Sequence, residues 1–224
     1  MRASKLSVRD REVLAAVGRF RMLTRPQVKR WFFEGVSEPV VTRFVERASR
    51  DGYLGVERLH GNGMQVVWLT RKGRDILVAN GVPGADLFPA SGPAAAKDFS
   101  HTVEIGNTAA WLAKKIPSPD EVLPAWAIQR VFGGRLPVVP DLLALWRQPA
   151  AALAVEVDLG TEPLTTILLP KLSVLRRSLG EWTPSEVTTI LVLVPSARRR
   201  EALLGGLGET VPATVVDLLA SLRC

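Results

Sequence analysis

The chain has 224 residues, 47% apolar and 23% charged, a balance that suits one or two globular domains and argues against disorder or a fibrous repeat. Lys and Arg number 29 against 22 Asp and Glu, and the excess is uneven: residues 1–80 hold 16 basic and 8 acidic side chains, residues 81–224 hold 13 and 14. The single cysteine, Cys224, excludes an internal disulfide framework and paired-cysteine zinc sites, and no stretch reaches the ~18 consecutive apolar residues of a membrane span.

A basic first third followed by a neutral remainder points to a polyanion partner for the first part and a separate task for the second. With no signal-like apolar run behind the charges of MRASKLSVRD, a cytoplasmic protein that makes no membrane contact is expected.

Ser7 reads as the cap of a first helix, with Val13, Leu14, Val17 and Phe20 on one face. Thr24 caps a short second helix, in which Val28, Trp31 and Phe32 are spaced to put two large aromatics into a small core. A third helix opens at Ser37 and Pro39. Its stripe of Val41, Phe44, Val45 and Ala48 lies opposite Arg43, Arg47 and Arg50, so one face packs and the other is cationic.

Gly52 ends that helix. Two β-rich runs, 53–59 and 65–69, flank the turn His60-Gly61-Asn62-Gly63, and Thr70 caps a closing helix over 71–79. Three helices, a two-stranded wing and a closing helix predict a winged helix-turn-helix for residues 1–80, with double-stranded DNA as its partner. The major groove admits one helix, and Arg43 and Arg47 are the expected base readers. Arg50, Lys29, Arg30 and the wing residues Arg58, His60 and Asn62 are expected on the phosphate backbone, where contacts position rather than specify. Tyr53, directly after Gly52, reads as core rather than as a nucleophile.

Residues 81–99 carry three Gly and three Pro without apolar period and read as a linker. An α/β domain is expected over 100–224: a helix 101–115, an extended run Ala125–Phe132, strands 142–146 and 151–158, a helical region 162–179 broken or restarted at Pro170, a buried strand 188–194, a basic-capped helix 197–206, and a terminal strand and helix. Asp141 starts one strand, while Glu156 and Asp158 stand at i, i+2 on the strand expected beside it, so three carboxylates converge on one face. Oxygen donors of this kind suit Mg²⁺ or Mn²⁺. The same acids also read as strand-end caps, with Asp158 and Gly160-Thr161 forming a plain turn.

The segments LSVRDREVLAAVGRFRMLTRPQVKRWFF, VVWLTRKGRDIL, VPDLLALW and AVEVDLGTEPLTTILLPKL, with His101 opening the helix between, resemble the replication-relaxation family of plasmid and mobile-element proteins. That resemblance implies a winged helix followed by a domain similar to the restriction-endonuclease-like PD-(D/E)XK fold. By the nuclease pattern Asp141 and Glu156 are metal ligands and Glu104 a helper. The lysine that the pattern sets two residues after Glu156 is replaced by Asp158, and Lys171 on the next helix is the substitute in reach. Without catalysis, the second domain serves dimerisation or a replication or mobilisation partner. A homodimer is expected, because one winged helix reads only a short site. Only His60 and His101 are present, which excludes the histidine cluster of a nicking relaxase, and no Gly-Lys-Ser/Thr phosphate loop supports a nucleotide-driven motor.

Overall fold

The computed structural model describes residues 6–58, 63–89, 92, 96–133, 136–182, 187–207 and 214–219. The chain forms two compact units, residues 1–106 and 107–224, with the boundary inside a helix.

In the first unit, α1 (Val8–Arg19) is capped by the Ser7 hydroxyl, which accepts from Asp10 N at 3.1 Å. The short strand β1 (Met22–Thr24) follows, and α2 (Arg25–Phe32) opens with a reciprocal cap: Thr24 Oγ1 accepts from Gln27 N, and Gln27 Oε1 from Thr24 N at 2.7 Å. After α3 (Glu38–Arg50) come β2 (Leu54–Arg58), β3 (Gln65–Leu69) and α4 (Arg71–Ala79), capped by Thr70. The sheet order is β1-β3-β2, antiparallel throughout. Val13, Leu14, Val17, Leu23, Val28, Val41, Val45, Val66, Val67 and Leu77 form a core that is essentially closed to water. Burying each side chain of this size contributes about 1.5–3 kcal/mol. On α2 the buried face is Gln27 and Val28. Trp31 and Phe32, expected in the core, stay half-buried as a stacked pair 5.1 Å apart, and Phe33 takes the core position instead.

The stretch expected as a linker is partly built into this unit. Leu87 is buried, Phe88 N donates to Gly18 O, and the Arg74 guanidinium donates to the carbonyls of Gly84, Leu87 and Phe88. Beyond it, α5 (Ala96–Leu112) accepts a 2.6 Å bond from Gln27 Nε2 at Val103 O.

The second unit holds a five-stranded sheet in the order β4-β5-β6-β7-β8, formed by Glu121–Pro124, Leu142–Arg147, Ala150–Val157, Val187–Val194 and Thr214–Leu218. The pairings β4–β5 and β5–β6 are antiparallel, β6–β7 and β7–β8 parallel. The expected extended run Ala125–Phe132 is instead a helix, α6. A short apolar run of this kind is compatible with either period. Pro124 in an extended conformation ends the edge strand and starts the helix, whose Ala127 and Ile128 enter the core.

Leu164–Leu168 winds as a π-helical turn that continues into α7 (Leu169–Trp182), so the helical region runs on through Pro170, whose missing N–H falls where the wider turn gives way to α7. The last described helix is α8 (Ala197–Leu207). Leu143, Ala152, Ala154, Ile190, Val192 and Val194 pack with Leu168, Leu172, Leu175 and Leu179 and with Leu203 of α8. The alternate residues Leu142, Ala144, Val155, Leu191 and Leu193 are buried as well, which explains why these strands read as continuous apolar runs. The expected terminal helix lies outside the described residues.

Candidate functional site

Two constellations carry chemistry, one in each unit. In the first, α3 buries Val41, Phe44, Val45 and Ala48 and exposes Arg43, Arg47 and Arg50, as helical spacing requires. Arg43 and Arg50 have no ion-pair or hydrogen-bond partner among the described residues, and neither does the exposed Arg58 at the end of β2. Arg47 differs: its Nη2 lies 2.8 Å from Asp10 Oδ1, with the guanidinium over the Phe44 ring. Lys29 is also engaged, 2.8 Å from Glu38 Oε2, while Arg25 bonds the other oxygen. The hydrogen bond from Lys29, with Arg25 adding to it, holds the Glu38 carboxyl below the usual range. Arg30 is exposed, and His60 and Asn62 lie outside the described residues.

The second constellation sits at the carboxyl end of β6. Asp141, just before β5, accepts from Val157 N at 2.8 Å through Oδ2, which locks the aspartate to the neighbouring strand. Glu156, 2% exposed on β6, shares its sheet face with Ala152 and Ala154 under α7, and Lys171 of α7 reaches its Oε2 at 2.6 Å. The other oxygen, Oε1, is buried without a partner. Burial, and then repulsion from Asp141, push the Glu156 carboxyl up to about 8 despite the opposing pull of Lys171; Glu162 adds to the rise. Burial works against the Lys171 ammonium, but the adjacent Glu156 outweighs it and raises its pKa.

Asp158 does not join this pair as a third open ligand. Its Oδ2 accepts from Arg199 Nε at 2.6 Å and its Oδ1 from Gly160 N, while Arg199 Nη2 bonds Glu162 O. The acid expected at a metal is therefore one half of a buried ion pair that pins the loop after β6. Among the described residues no three acids, histidines or cysteines converge in a way that holds a metal. Glu104 is half-buried on α5 within the first unit. Arg199 and Glu162 were not singled out by sequence. Glu162 lies within the EVDLGTE run, but nothing in Arg198-Arg199-Arg200 marks which arginine turns inward.

The model of the replication-relaxation family matches residues 14–181, which takes in both constellations except Asp10 and Arg199. The chain belongs to the replication-relaxation family. No curated protein and no solved structure gives a significant match. The replication-relaxation assignment runs from the second half of α1 through most of α7 and ends before β7, and no helix among the described residues is long and apolar enough to cross a membrane.

Proposed function

We propose that this replication-relaxation protein binds double-stranded DNA in the replication or mobilisation of a plasmid or mobile element, its first unit acting as a winged helix-turn-helix. The observation that carries the reading is the outward row of α3, where Arg43 and Arg50 stand exposed, and unpaired among the described residues, opposite a fully buried stripe. A helix in the major groove presents such a row to base edges, and the β2–β3 hairpin with Arg58 lies beside it to meet phosphates. The second unit joins two copies or engages a replication or mobilisation partner, and a dimer reads an inverted repeat. Fluorescence anisotropy with a genomic library of duplexes tests this. Binding that weakens steeply with salt and loses sequence preference in Arg43→Ala supports it, and salt-insensitive binding that ignores Arg43 refutes it.

The Glu156–Lys171 contact favours a second reading, a metal-dependent nuclease on a PD-(D/E)XK-like core. After α5 the order is β4-α6-β5-β6-α7-β7 around a mixed sheet, with acids on β6 and just before β5, and apart from the inserted α6 this order favours that reading. Asp141 and Glu156 supply hard oxygen donors, and the unpartnered buried Glu156 Oε1 is a lone pair that a cation would satisfy, so the residues fit Mg²⁺ or Mn²⁺. Such an ion supplies Lewis acidity to a phosphodiester and its attacking water. Lys171 then contributes the positive charge that the strand lacks at Asp158, orienting water or stabilising charge on the phosphorane-like transition state. Incubation of supercoiled DNA with Mg²⁺ or Mn²⁺ decides between the readings. Cleavage lost in Asp141→Ala, Glu156→Ala and Lys171→Met establishes the nuclease, and intact DNA with intact binding leaves the second unit as a scaffold.

A further inference from the structure

A cavity of about 320 Å³ opens in the first unit, bordered by Arg21, Thr70, Arg71, Arg74, Asp75 and Phe88 among others. Arg21 is the only non-glycine among the described residues with a left-handed backbone, φ 70°. Met22 N donates across it to Phe20 O at 2.8 Å, closing a strained γ-turn. The guanidinium lies over the Phe88 ring, 5.2 Å from its centroid, and Arg21 Nε is buried without a hydrogen-bond partner. A long cationic side chain is thus kept in a strained turn over an aromatic ring, with no acid or carbonyl among the described residues bonded to its guanidinium.

The cavity is built before any ligand arrives. Arg74 spends its guanidinium on the carbonyls of Gly84, Leu87 and Phe88, fixing the wall that carries Phe88. Phe88 N is tied in turn to Gly18 O at 2.8 Å. Arg71 opens α4 at the rim, exposed and without an ion-pair partner among the described residues, where the positive end of the helix dipole adds to its charge. Arg21, Arg71 and Arg74 face one acid, Asp75, so the lining carries a surplus of two positive charges. Met22 pairs with Trp68 at this end of the sheet and Arg58 with Gln65 at the other, so the cavity and the β2–β3 turn lie at opposite ends.

The geometry points to a phosphoryl-binding site in this cavity, with the terminal guanidinium N–H groups of Arg21 and Arg71 as the donors to a dianionic oxyanion. Planar guanidinium N–H groups match phosphate oxygens better than an ammonium does, and the surplus of two charges matches a phosphate dianion rather than a lone carboxylate. The volume is at the small end for ligand pockets, room for a phosphate ester of modest size. The phosphoryl group comes either from such an ester or from the backbone or end of a nucleic-acid strand.

Isothermal titration calorimetry of the full chain with inorganic phosphate, at constant ionic strength set with chloride, tests the site. Arg21→Gly removes the donor and relieves the left-handed strain, so it folds, with circular dichroism as the check, and its phosphate affinity drops at least tenfold. Arg21→Lys keeps the charge but not the fork and loses nearly as much; Asp75→Asn binds several-fold tighter. Phosphate heats absent from the wild type, or unchanged in folded Arg21→Gly, overturn the proposal. Anisotropy with a short duplex, with and without saturating phosphate, separates the sources. Duplex affinity unmoved by phosphate and by Arg71→Ala assigns the site to a small ester, and equal weakening by both assigns it to a strand phosphate.

Discussion

Replacing Glu156 by Gln keeps the shape of the side chain and an oxygen for Lys171 while removing its titration. In the folded protein the carboxyl is pushed from 4.5 up to about 8, first by burial and then by Asp141. The folded chain therefore holds this proton more tightly than the unfolded chain, and stability falls as pH rises from the unfolded value through the folded one. The stabilisation is complete below about pH 4.5 and gone above about pH 8. At about 1.4 kcal/mol per pH unit, the whole step is roughly 5 kcal/mol. Urea unfolding at a series of pH values, read as the difference between wild type and Glu156→Gln, reports this carboxyl together with the Lys171 ammonium coupled to it. The wild type loses stability relative to the variant across pH 5–8, and adding Mn²⁺ shrinks the loss if the cation takes the unpartnered Oε1. Parallel pH profiles for the two proteins would show that Glu156 is not the strained acid described here.

Arg43→Ala lowers duplex affinity by about 1–3 kcal/mol and relaxes base preference in an anisotropy titration. Arg47→Ala lowers it less, because that guanidinium begins in a 2.8 Å pair with Asp10, and Asp10→Asn strengthens binding by releasing it. Arg199→Ala strands the Asp158 carboxylate, whose side chain is 1% exposed, and lowers unfolding free energy by about 3–5 kcal/mol in urea. Gly73→Ala puts a methyl 2.2 Å from Tyr53 O, a backbone atom that cannot swing away, and destabilises by about 1–3 kcal/mol. Gly84→Ala, whose nearest neighbour is a Val78 methyl at 3.4 Å, leaves the melting temperature nearly unchanged.

Local signals carried most of the first unit. Ser7, Thr24 and Thr70 each cap the helix that spacing assigned to them, and the runs at 65–69 and 71–79 are a strand and a helix within those bounds. Such signals act over three or four residues, so sequence alone exposes them. Strand β1 was hidden because Met22–Thr24 has no alternation to display: all three residues are buried and its partner, β3, lies more than forty residues away. The α6 segment failed for the opposite reason, since AWAIQRVF carries two aromatics and two β-branched residues that suit a strand, and only Pro124 at its start and the packing of Ala127 and Ile128 decide for helix. At the carboxylate cluster, Asp141 and Glu156 were legible from strand starts and alternation. The destinations of Lys171 and Arg199 depended on how α7 and α8 lie across the sheet, a tertiary fact with no local signature.

The two buried contacts between an acid and a base are best understood together. A strand that ends Glu156-Val157-Asp158 directs two acids toward one end of the sheet, and leaving both unpaired in the interior would cost several kcal/mol each. The fold divides the problem between two helices. Arg199 of α8 neutralises Asp158 completely, with Gly160 N taking its second oxygen, whereas Lys171 of α7 meets only one oxygen of Glu156 and leaves Oε1 unmatched beside Asp141. Arginine with its fixed fork suits the closed structural pair, and a single ammonium leaves the other carboxylate unfinished. If burial economy alone governed the cluster, Glu156 would be as fully satisfied as Asp158. The contrast leaves the unfinished bonding at Glu156, and makes Asp158 the residue that holds the loop carrying Glu162 in place.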